Sequence, residues 1–200
     1  GDAVAIVVAE TRAAAFDAAD RVVVDYEDRP SVTEAAEAVR AGAPAVWPDE
    51  VPDNVSFVFE QGDRAAVEAA FARADHVTTL DFRVTRVTAS PIEPRNAVGW
   101  YDPLEDRYTL YAGTQGPHKL KNELAVATLK IPAHKLRVVS PDVGGGFGMK
   151  NSPFPEYGLL LWAARRVGRP VRWTATRAES FLSDYHGRDN VAVDRLGRPL

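Results

Sequence analysis

Apolar and polar positions alternate over residues 76–87. Thr78, Leu80, Phe82 and Val84 share one face, and Val77, Thr79, Asp81, Arg83 and Thr85 share the other. This period of two predicts a long strand with one drier side. Residues 97–101 and 107–111 flank Asp102-Pro-Leu-Glu-Asp106, a segment rich in turn formers, and predict a hairpin. Pro117 suits the first turn of a helix, whose apolar stripe is Leu120, Leu124 and Ala127 or Thr128, up to Lys130. Residues 136–139 read as a strand. A helix opening at Phe154-Pro-Glu156 is apolar nearly all round through Leu159, Leu160, Leu161, Trp162 and Ala163, which predicts burial. Gly168-Arg-Pro170 ends it, and residues 171–174 resume the sheet.

The first third of the chain has shorter patterns. Residues 3–8 form a β-branched run, Glu10-Thr11 starts an alanine-rich helix to Asp20, and residues 22–26 read as a second strand, giving a compact β-α-β unit. A short helix over 33–40 stops at Gly42. Pro44, Pro48, Pro52 and Trp47 mark a linker without periodicity. Residues 55–59 are a candidate strand. Asp63 is the expected N-cap of a helix to Ala74 that carries Val67, Ala70 and Phe71 at helical spacing. The last ten residues read as a strand followed by a turn. Strand-like starts and stops at both ends, with Met149 the only methionine, give the expectation that the sequence is a window on a longer chain.

Composition narrows the functions available. The 200 residues are 46% hydrophobic and carry a net charge of only -4, so a core is expected and no basic footprint for nucleic acid exists. The apolar runs are strand-sized, well short of the roughly 20 residues of a membrane helix, so no membrane span and a cytoplasmic location are expected. With no cysteine, the chain by itself supplies no disulfide, thiolate nucleophile or iron–sulfur ligand.

The strongest candidate for chemistry is Pro141-Asp-Val-Gly-Gly-Gly-Phe-Gly148. Four glycines in five positions after a strand can take positive φ and present bare N–H groups to a ligand. Composition alone admits a tight structural turn and a ligand loop equally, and the spacing matches neither GxGxxG nor a P-loop. Gln115, between a strand end and a helix start, can donate to an oxyanion or oxo group, although a turn-capping glutamine is the plainer reading of the residue type. Glu93 and Arg95 point the same way on extended backbone, with an ion pair as the plain reading. Lys150 could neutralise an anion; alone, it reads as a surface lysine. His76, His118, His134 and His186 lack metal-ligand spacing, so no metal-ligating residue is expected. His118 follows Gln115 by three residues and could share its site.

Pro91-Ile-Glu-Pro-Arg95, Thr114-Gln-Gly-Pro-His118 and Pro141 to Lys150 occur in this order, followed by Pro155-Glu156 and Gly168-Arg-Pro-Val-Arg-Trp173. Together they resemble the molybdenum-binding large subunit of the xanthine dehydrogenase and aldehyde oxidase family, and most closely its carbon monoxide dehydrogenase branch. The resemblance implies an α+β fold with three parts. Residues 1–45 would be the end of an α/β hammerhead domain, 46–74 a linker with a short strand and helix, and 75–200 the first part of a molybdopterin-binding domain with a mixed sheet and packed helices. It further implies that Gln115 lies beside molybdenum as a catalytic residue, and that Gly145, Gly146, Phe147 and Gly148 line the molybdopterin. The cofactor would be the cytosine dinucleotide form.

The reaction class so implied is oxidation of an aldehyde, N-heterocycle or carbon monoxide with oxygen from water. Electrons would pass to an iron–sulfur subunit and an FAD subunit in a dimer of heterotrimers. The family's general base, in a Gly-Glu motif much further along, is not in these 200 residues, so the isolated chain is expected to be inactive. Asn151 stands where xanthine-type members carry glutamate, which argues against purine hydroxylation. A non-catalytic scaffold that kept the fold is the alternative reading.

Overall fold

A computed structural model of the chain describes residues 3–198. Its helices are α1 (Arg12–Ala19), α2 (Ala35–Ala38), α3 (Arg64–Ala72), α4 (Pro117–Glu123), α5 (Pro155–Val167) and α6 (Arg177–Ser183). Its strands are β1 (His76–Val84), β2 (Val87–Thr88), β3 (Asn96–Asp102), β4 (Arg107–Ala112), β5 (Leu136–Val139), β6 (Val171–Thr174), β7 (His186–Gly187) and β8 (Asn190–Arg198). They fall into two compact units. One comprises the chain up to Val24 with Thr88–His186, and the other comprises Asp25–Val87 with the chain from Gly187 onward. These spatial units cut the chain at different places from the three-part division expected at 45/46 and 74/75.

The first unit is built on a mixed four-stranded sheet of order β5-β4-β3-β6. The β3–β4 hairpin is antiparallel, β6 joins β3 antiparallel, and β5 joins β4 parallel. Alternation puts Ala97, Gly99 and Tyr101 of β3 opposite Ala112, Leu110 and Tyr108 of β4 on the core face. Helix α5 covers that face with Tyr157, Leu160, Leu161 and Ala164, an i, i+3, i+4, i+7 stripe. Trp162 is half exposed, so the helix is amphipathic rather than buried all round as its composition suggested. Pro155 at its start and Gly168, left-handed at φ 66°, at its end bound it as expected.

The helix expected to run to Lys130 changes pitch. After Glu123 it continues as a π-helix, Leu124–Leu129, and closes on left-handed Lys130, with the Ile131 N–H donating to the Ala125 carbonyl at 2.9 Å.

Gly99 is the point of closest approach between sheet and helix. A Cβ there would lie 2.8 Å from the Leu160 carbonyl carbon and oxygen and 2.9 Å from the Leu161 nitrogen, all backbone atoms that cannot swing aside. Gly99→Ala is therefore expected to destabilise the protein by about 1–3 kcal/mol through overpacking. A urea unfolding midpoint equal to that of the wild type would show that β3 and α5 can part without cost.

In the second unit, β1 and β8 form an antiparallel ribbon with Leu80 opposite Asp194. Helix α3, N-capped by Asp63 as expected, lies along β8, with Arg195 paired to Glu68 and stacked over Phe71. The proline-rich linker is tied down by Asn54. Its Nδ2 donates to the Ala38 and Pro44 carbonyls, and its Oδ1 accepts from the Val46 N–H.

Several expectations are corrected. Residues 3–8, 22–26 and 55–59 are not strands, so the β-α-β unit reduces to α1. A strand persists only by pairing, and no backbone among the described residues pairs with these segments. The face of β1 read as drier is not buried: Leu80 and Phe82 are both exposed. The last ten residues, expected as a strand followed by a turn, are continuous strand as far as Arg198; positions 199 and 200 lie outside the described residues.

Candidate functional site

Sheet topology gathers the candidate residues. Because β4 and β5 are parallel, their C-terminal ends lie at one edge, and the antiparallel partner β3 begins there. That edge receives residues 91–95 before β3, 113–116 after β4 and 140–151 after β5, all within the first unit.

The glycine loop has left-handed backbone at Gly145 (φ 99°), Phe147 (φ 52°) and Gly148 (φ 89°). Phe147 projects outward and is 78% exposed. The Gly148 N–H donates to Gln115 Oε1 at 2.9 Å, and the Gln115 N–H donates to the Lys150 carbonyl at 3.1 Å. Since a backbone N–H can only donate, this contact fixes which end of the Gln115 amide is oxygen and leaves Nε2 as a donor aimed elsewhere. Among the described residues, neither Gln115 Nε2 nor the N–H groups of Gly145, Gly146 and Phe147 donate to a protein acceptor. A side chain at Gly146 would displace that of Gln115: a Cβ there would lie 2.5 Å from Gln115 Oε1. Three bare N–H groups and a pinned amide donor make a cradle for an anionic or oxo-bearing group. That donor set fits a pterin or oxo ligand, and it contains no ligand that would bind a metal directly.

Two ion pairs support this edge, and neither is the Glu93–Arg95 pair read from sequence. Lys150, read as a surface residue, has a fully buried side chain. Its Nζ donates to Glu93 Oε2 at 2.8 Å and to the Glu93 carbonyl at 2.9 Å. The same Glu93 oxygen accepts from the Gly144 N–H at 2.9 Å, and Glu93 Oε1 accepts from Asn96 Nδ2 at 3.1 Å. Burial alone would raise the Glu93 pKa, but the bonds from Lys150, Asn96 and Gly144 outweigh it and hold the carboxyl below its ordinary value. Its contribution to stability is thus present above the ordinary carboxylate range and is lost as pH falls through the lowered folded value.

Arg95 is wholly buried. Its Nε donates to Asp184 at 2.5 Å, Nη1 to Glu156 at 2.8 Å and Nη2 to Ser183 at 2.7 Å, while the guanidinium sits 3.9 Å from the Phe154 ring centroid. A capping box between Thr176 and Glu179 starts α6, which delivers Ser183 and Asp184. Burial pushes the neighbouring Tyr157 phenol up to about 12, so it stays neutral. This cluster braces the loop that carries Glu93.

His118 is exposed on the first turn of α4, and its side chain bonds none of the Gln115 or glycine-loop groups. No group of three or more His, Asp or Glu side chains that could hold a metal is found among the described residues. A groove of the first unit lies between residues 3–19 and α5, β6 and α6, and none of the cradle residues lines it.

The model of the molybdopterin cofactor-binding domain matches residues 47–197. The chain belongs to the molybdopterin cofactor-binding family. It is 33% identical over 98% of its length to the carbon monoxide dehydrogenase large chain of Hydrogenophaga pseudoflava, covering 26% of that protein. It is 36% identical over 96% of its length to the nicotine 6-hydroxylase large subunit of Paenarthrobacter nicotinovorans, covering 23%. The structure of reconstituted CO dehydrogenase from Oligotropha carboxidovorans superposes with a TM-score of 0.88 at 30% identity, over 94% of this chain and 25% of that one.

The family resemblance read from the three motifs therefore holds. The chain spans about a quarter of the length of the relatives it matches. The structure joins Gln115 to the glycine loop, the candidates singled out by the resemblance, while the burial of Lys150 and the partners of Arg95 were not read from the sequence. The available signal was two charged residues flanking a proline in an otherwise apolar stretch, with one lysine directly after the loop. No helix among the described residues is long and apolar enough to cross a membrane.

Proposed function

We propose that this chain is the cofactor-cradling part of a molybdenum hydroxylase large subunit that oxidises a small molecule: an aldehyde, an N-heterocycle or carbon monoxide. The observation that carries this reading is the donor set itself: the N–H groups of Gly145, Gly146 and Phe147 and Gln115 Nε2 have no protein acceptors among the described residues, in a chain whose family binds molybdopterin. When bound, the pterin-held molybdenum supplies two-electron oxidation with oxygen taken from water.

This chain's residues bind and orient that group. The loop N–H groups would hold its acceptor atoms, Gln115 Nε2 would donate to one of its oxygen atoms, and exposed Phe147 would offer it an apolar wall. Gln115 is the catalytic residue of the set and Gly145, Gly146, Phe147 and Gly148 bind the cofactor, in its cytosine dinucleotide form. The hammerhead end (1–45), linker (46–74) and first part of the cofactor domain (75–200) form the proposed domain plan. Partner subunits carrying iron–sulfur clusters and FAD, in a dimer of heterotrimers in the cytoplasm, complete the reading.

Gln115→Ala in the full-length enzyme is expected to lower kcat by about 10²–10³, the typical cost of one preorganised donor. It should also change the molybdenum paramagnetic resonance spectrum. Turnover and spectrum unchanged from wild type would remove Gln115 from the site.

A further inference from the structure

The cradle's donors work only if both ends of the glycine loop are held still, and one ion pair, between buried Lys150 and partly exposed Glu93, holds both. At the start of the loop, Glu93 Oε2 accepts from the Gly144 N–H at 2.9 Å, and the Glu93 N–H donates back to the Gly144 carbonyl at 3.2 Å. The two approach so closely that a Cβ on Gly144 would lie 2.5 Å from the Glu93 Cβ. At the end of the loop, the Lys150 carbonyl accepts from the Gln115 N–H and from Thr114 Oγ1, both at 3.1 Å. The Lys150 ammonium closes the ring on Glu93.

A buried lysine is costly unless paired, and this one gains no packing that an apolar side chain could not supply. What only the charge can do is tie residue 150 to residue 93 and so fix Gln115 relative to Gly144. Asn96 engages the second Glu93 oxygen, so the carboxylate has one orientation available.

We propose that Glu93 and Lys150 are positioning residues that hold the cofactor cradle in its ligand-ready form, an inference that rests on the function proposed above. Neither touches the ligand. Lys150 sets the Gln115 backbone through its carbonyl, and Glu93 sets Gly144 through its carboxylate.

The test compares three variants of the full-length enzyme: Lys150→Met, Glu93→Gln, and Leu161→Ala as a core control remote from the cradle. Melting temperature, bound pterin and the molybdenum paramagnetic resonance spectrum are read for each. Lys150→Met is expected to lower bound pterin roughly tenfold or more, as loss of a supporting partner does at other metal sites. Leu161→Ala should lower the melting temperature at least as far yet keep its pterin. Glu93→Gln preserves shape and one acceptor, so it should fold, lose pterin faster on dialysis and show a shifted spectrum.

Wild-type pterin content and spectrum in both clasp variants would overturn the positioning role and leave the proposed function standing. Pterin loss that merely tracks melting temperature across all three would overturn it too. A wild-type enzyme without pterin would overturn the function and this inference together.

Discussion

Arg95→Ala is expected to cost the fold about 3–5 kcal/mol, the usual penalty for removing one partner of a buried ion pair. The Asp184 side chain has no exposed surface and would lose the cation it is buried against. Glu156, one-fifth exposed, would lose its closest cation, and the ring of Phe154 would lose the stacked guanidinium. Arg95→Lys restores charge but not the fork that reaches three partners at once, so it should recover only part of the loss. Arg95→Met combined with Asp184→Leu should be less damaging than Arg95→Met alone, because the fully buried carboxylate is removed together with its cation and only the partly exposed Glu156 is left unpaired. Urea unfolding at constant m-value reads all four. A midpoint for Arg95→Ala within about 1 kcal/mol of wild type would mean that water enters the cluster and solvates Asp184.

Gly146→Ala is expected to disable the site while sparing the fold. The backbone of Gly146 is not left-handed, so alanine is allowed there, and the three atoms nearest the new methyl all belong to the Gln115 side chain, Oε1 at 2.5 Å, Cδ at 2.6 Å and Cγ at 2.8 Å. Gln115 is exposed and can swing out, surrendering the bond from Gly148 that aims its Nε2. Turnover should therefore fall by about 10²–10³, as for Gln115→Ala, with little change in melting temperature. The two changes should not add. With Gln115 already cut to alanine the Gly146 methyl has room, so the double variant should resemble the Gln115 single variant. Full additivity would mean that Gly146 acts on the ligand directly rather than through Gln115.

What could be read from the sequence follows from where each segment finds its partners. The β3–β4 hairpin, β5, α5 and β6 have apolar faces that meet one another within these residues, so their patterns translate directly into structure. Residues 3–8 and 55–59 carry equally good strand composition but find no pairing backbone, and composition cannot signal that.

The glycine loop was locally conspicuous as φ-permissive backbone, but only the family resemblance of the ordered motifs made it and Gln115 legible as site candidates. Lys150 was not legible. A lysine after a loop is normally solvated, and its burial depends on Glu93, 57 residues earlier. Arg95 and Asp184, 89 residues apart, meet only because α6 returns to the start of β3.

Metal and pterin analysis of the full-length protein, purified with its partner subunits from molybdenum-replete cells, tests the central claim most directly. Stoichiometric molybdenum and a pterin released as its dinucleotide, both lost or shifted when Lys150 or Gly146 is changed, is the result predicted. A folded, assembled protein that contains neither would contradict it.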